Sequence, residues 1–206
     1  MVINDNIKAF IDFNYIPLST KQCIIRLLLL WLFGSLVCCI GNIDYILMLF
    51  ATIISLAITT LFFILVFRYK ESKISRFLCD GITYTYLSLI ANIASYKFLT
   101  LNSNSNPVLA LILMLSLVFF IVFTMIFILY LIKKGCYNKS SNTRVSLTLC
   151  SLSGILGISV AKFSSIYLSQ DEAVVFGSIC LLVLSFLLSI PSANLLKAYF
   201  TIKINK

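Results

Sequence analysis

VLALILMLSLVFFIVFTMIFILYLI, residues 108–132, runs for twenty-five residues without a charge. As an α-helix rising about 1.5 Å per residue it would be about 37 Å long, more than the roughly 30 Å of a bilayer's hydrocarbon core. A bilayer offers no water to backbone N–H and C=O groups, so an apolar run of this length must satisfy them internally, as a helix. A strand of a membrane barrel would alternate apolar with polar residues, and this run does not.

Three comparable runs precede it, at 23–40, 45–67 and 77–101, and two follow, at 145–168 and 173–200. The expected fold is therefore an all-α integral membrane protein, a bundle of about six transmembrane helices joined by short loops. The composition agrees: 61% of the 206 residues are hydrophobic and 11% are charged. Mean hydropathy is +1.06. A water-soluble domain carries roughly 25% charged residues, so this chain has too few to cover a wetted surface.

The charges sit between the runs and alternate. The connection before residue 45 holds only Asp44, whereas the next holds Arg68, Lys70, Glu71, Lys73 and Arg76. Residues 102–107 are uncharged; Lys133, Lys134, Lys139 and Arg144 follow the fourth run; Asp171 and Glu172 precede the sixth; Lys197, Lys203 and Lys206 end the chain. Of the 16 Lys and Arg residues, only Lys97 and Lys162 fall on the non-basic side. Cytoplasmic loops are the basic ones, which predicts a multi-pass protein of the cell (inner) membrane with both termini in the cytoplasm. The net charge of +9 is thus a topology signal, and no soluble domain is left to present a basic face to nucleic acid.

Residues 1–22 read as a cytoplasmic amphipathic segment. Ile3, Ile7, Phe10 and Ile11 recur at helical spacing, with Asn4, Lys8 and Asp12 elsewhere on the wheel, the pattern of a helix lying in the interface. A disordered tail is the alternative. Residues 201–206 form the cytoplasmic tail. Pro191 is expected to kink the last helix.

Polar residues inside the runs are the candidate functional groups. On the third run Asp80, Gly81, Tyr84, Thr85, Ser88, Asn92, Ser95 and Tyr96 share one half of a helical wheel, so this half should face the bundle or a wet cavity. Asp80 is the one acid within an apolar run. It either relays a proton or cation, or pairs with Arg76 one turn earlier. Lys97, on the apolar half, reads as a snorkelling residue. On the fifth run Ser153, Gly154, Gly157 and Ala161 form a small-residue face suited to close helix packing, which places that helix centrally. Lys162 either snorkels outward or lines an outward-facing cavity. Asp80, Tyr84, Ser88, Asn92 and Lys162 are together the candidate polar intramembrane site.

Much chemistry is excluded. The chain has no histidine, so His-based catalysis and His-ligated metals are out. It has no nucleophile elbow, Walker A loop or dinucleotide fingerprint. The seven cysteines include no CxxC pair, and only adjacent Cys38 and Cys39 invite a look for oxidation or acylation. No catalytic residue, metal or cofactor is expected. The residues point to a non-enzymatic, transport-associated or permease-like subunit, partnered in the bilayer by another membrane protein or an ATPase subunit. A membrane-embedded immunity, exclusion or assembly protein acting by helix–helix binding is the alternative.

Overall fold

The computed structural model describes residues 2–13, 25, 30, 32–40, 43–68, 73–101, 106–138 and 169–204. Among them are six α-helices and no strand: α1 (Val2–Asp12), α2 (Tyr45–Arg68), α3 (Lys73–Leu99), α4 (Pro107–Lys133), α5 (Gln170–Ser189) and α6 (Asn194–Ile204). Residues 32–38 are also helical. Three stretches are long and apolar enough to cross a membrane: Arg76–Leu99, Pro107–Lys133 and Asp171–Ile204; Tyr45–Ile58 is a shorter apolar helix. The fifth expected run, 145–168, and most of the first lie outside the described residues.

Local chemistry sets the helix ends. Asn106 caps α4, its side-chain oxygen accepting from the N–H groups of Val108 and Leu109 at 3.1 and 3.3 Å. Pro107 occupies the first turn, where a missing N–H costs nothing. At the other end Gly135, at φ 73°, takes the left-handed conformation that releases the chain from the helix. A 3-10 turn (Cys136–Asn138) follows.

The last run differs from the single kinked helix expected over 173–200. Glu172 turns back to accept from the backbone N–H and hydroxyl of Ser169, at 2.9 and 2.7 Å, so α5 starts three residues earlier, at Gln170. Proline has no N–H to donate and its ring crowds the preceding turn. Around Pro191 the chain accordingly tightens into a 3-10 segment, Ile190–Ala193, and resumes as α6.

Helix α3 is the axis on which α2, α4, α5 and α6 pack. It runs antiparallel to α5, with Ser88 opposite Ser185 and Ser95 opposite Ser178. It meets α4 where Asn92 reaches the Leu113 carbonyl, and α2 where Tyr86 meets Ser55. One apolar cluster joins Leu30, Val37, Ile58, Cys79, Tyr86, Ile90 and Ala94. Two more lie at the other end of α3: Phe10 with Ile128, Ile132 and Ala193, and Ile11 with Phe77 and Ala198.

Those two clusters seat α1. Its apolar residues Ile7, Phe10 and Ile11 face the bundle, while Asp5, Lys8 and Asp12 stay exposed. Residues Val2–Asp12 are helical, with the apolar side docked on protein.

Candidate intramembrane polar site

Among the described residues the polar half of α3 does not gather around one space. Its side chains go to different neighbours, most of them backbone carbonyls. Ser88 donates to the Ser185 carbonyl at 2.8 Å and Ser185 returns the bond to the Ser88 carbonyl at 3.0 Å. Ser95 donates to the Ser178 carbonyl at 2.9 Å. Asn92 Nδ2 donates to the Leu113 carbonyl of α4 at 3.3 Å. Thr85 bonds within its own helix, to Gly81. Ser88, Asn92 and Ser95 are fully buried, whereas Tyr84 is half-buried and shares none of these bonds.

The serines form a ladder with a rung every seven residues. Gly81, Ser88 and Ser95 recur on α3, and Ser178, Ser185 and Ser192 recur on the facing stretch. A seven-residue repeat of small side chains keeps one seam facing its partner and lets the backbones come close. Gly81 shows how close: a Cβ there would stand 2.5 Å from Leu195 Cγ and 3.1 Å from the Leu195 nitrogen. Among the described residues the partner of this face is α5, from the sixth run.

Asp80 is buried, and its Oδ2 accepts from Arg76 Nε at 2.8 Å. The ion pair is the arrangement expected from the i, i+4 spacing. A carboxylate held by a guanidinium one turn away suits anchoring the helix.

Lys97 differs from the snorkelling side chain expected. Its ammonium donates to the carbonyls of Cys38 and Val37 at 3.1 and 3.4 Å, closing the end of the helical stretch 32–38. The last carbonyls of a helix carry partial negative charge, and a cation there is favourable. Cys38 is buried and donates to the Gly34 carbonyl, while Cys39 is exposed.

Lys162, Ser153, Gly154, Gly157 and Ala161 lie outside the described residues, so the proposed meeting of the third and fifth runs is not among the described contacts. Among the described residues no three His, Cys, Asp or Glu side chains are grouped to hold a metal ion.

A second polar locus escaped the sequence reading. Lys197 of α6 is buried, its ammonium 2.5 Å from the Phe13 carbonyl just after α1. The rings of Phe10, Phe13 and Phe77 stand 5.3, 5.8 and 5.3 Å from it, within cation–π range. Tyr137 packs edge-on against Phe10 and Phe13. Burial there pushes its phenol above the usual range. In the sequence Lys197 registers only as one of the terminal basic residues.

The chain matches no family model, no curated protein and no solved structure.

Proposed function

We propose that this chain is a non-enzymatic, multi-pass subunit of the cell membrane that acts by binding another membrane protein, as a transport-associated component. In this reading six helices span the bilayer. Both termini and the basic connections lie in the cytoplasm, as the charge alternation implies. A single observation carries the proposal. The buried polar side chains Ser88, Asn92 and Ser95 of α3 are bonded to backbone carbonyls of α4 and α5 and, among the described residues, do not converge on a common space. A conduit needs polar groups held open to its substrate, whereas here they join helices. The permease-like version, with Asp80, Tyr84, Ser88, Asn92 and Lys162 lining a path, is correspondingly weaker.

The alternative is an immunity, exclusion or assembly protein that recognises its target through helix packing. The small face at Ser153, Gly154, Gly157 and Ala161 supports that version, because it would let a foreign helix approach closely.

Co-purification from native membranes in a mild detergent separates the readings. A stoichiometric ATPase or transporter is the expected companion. A toxin or assembly partner without an ATPase would favour the alternative, with Gly157→Leu then expected to abolish the complex. A chain that purifies alone and carries substrate across vesicle membranes would overturn both.

A further inference from the structure

We propose that α1 is a detachable strap and that Lys197 is its latch, holding it on the bundle until the ammonium loses its grip on the end of α1. The face that α1 buries against protein, Ile7, Phe10 and Ile11, is the face an interfacial helix would sink into lipid. Hydrophobic burial therefore favours both seats and does not choose between them. The alternative seat in lipid rests on the membrane reading above; the latch itself does not.

The polar contacts do choose. Helices end with carbonyls that lack partners and carry partial negative charge. Lys197 supplies a cation to that end of α1 through the Phe13 carbonyl. Its surroundings make the dependence mutual. Of its partners, the Phe13 carbonyl, the rings of Phe10 and Phe13 and the charge of Asp12 belong to the strap, while Phe77 and the charge of Asp80 stay with the bundle. If α1 departs, the buried ammonium loses the Phe13 carbonyl and two of the three rings, and a buried charge stripped of hydrogen-bond acceptors is unfavourable.

The Asp12–Lys73 ion pair, 2.6 Å long, joins the strap to α3, and both side chains are solvent-exposed. An exposed pair contributes little to holding the strap. It is well suited to report on it, since a zero-length carbodiimide links a carboxylate to an amine only at such range.

The test uses the full chain in lipid nanodiscs, treated with a carbodiimide, with the Asp12–Lys73 peptide quantified by mass spectrometry. The wild type is expected to cross-link. Lys197→Met, which keeps the length and removes the charge, should lower the yield at least about fivefold. Lys197→Arg should stay within about twofold of wild type. Wild-type yield in a monodisperse Lys197→Met protein overturns the latch, and so does equal loss in the Met and Arg variants. Should Lys197→Met not fold, Phe77→Leu decides: a two- to threefold loss supports the latch, and an unchanged yield overturns it.

Discussion

Helices α3 and α4 are both 27 residues long, lie side by side, and are built on opposite plans. Mean hydropathy reaches only 1.2 in the spanning window of α3 against 3.1 in that of α4. Yet 61% of the α3 window is buried inside the protein and only 22% of the α4 window. The more polar helix is inside and the more apolar one outside. Water would reverse that order, and a lipid surrounding would favour it. On α4 a stripe of Leu113, Leu117, Thr124, Ile128 and Ile132 touches the bundle, while Phe119, Phe123, Ile126 and Phe127 face outward. In a bilayer the hydrogen bonds of serine and asparagine on α3 would contribute what hydrophobicity cannot between helices surrounded by hydrocarbon.

The contrast is easiest to break on α4. Phe119 is 73% exposed and sits at the middle of its helix. If its surroundings are hydrocarbon, Phe119→Arg should cost about 3 kcal/mol in a translocon insertion assay. An unchanged insertion energy would mean that this face meets water or protein. The next effect belongs to α3. Gly81→Ala adds a Cβ where Leu195 already stands, so overpacking of about 1–3 kcal/mol should outweigh the gain in helix propensity of about 1 kcal/mol. Unfolding in mixed detergent micelles reads the net loss, and a stabilised variant would show that α3 and the Leu195 segment separate readily. The smallest effect should come from Ser185→Ala, which removes one rung bond. Bonds of this kind are worth about 0.6 kcal/mol on average in membranes, so a loss on the order of 1 kcal/mol is expected. A double-mutant cycle with Ser88→Ala sharpens the comparison, since reciprocal bonding predicts that the two losses are not additive.

The apolar runs were plain in the sequence because spanning is a matter of composition and length. The start of α4 was nearly so, with Pro107 following the capping Asn106. Helical periodicity also placed Ser88, Asn92 and Ser95 on an inward face. It did not say which helix would receive them, because each one donates to a backbone carbonyl, and every helix has carbonyls. A usable signal existed: the spacing Ser178, Ser185, Ser192 repeats that of Gly81, Ser88, Ser95. Lys197 left no comparable trace. Its neighbours come from residues 10, 13 and 77, and nothing local to position 197 announces them.

Two strips with the same seven-residue repeat resemble a pair of combs, and combs can mesh in more than one position. Slid by one repeat, about 10.5 Å at 1.5 Å per residue, Ser95 would face Ser185 and Ser88 would face Ser192, with both rungs conserved on paper. The turn at Pro191 breaks that equivalence. By tightening Ile190–Ala193 into a 3-10 segment it changes the residue spacing around Ser192, so the third tooth would not meet the second gap as Ser185 does. A proline first noticed as a kink thus serves as the index mark that tells two otherwise interchangeable alignments apart.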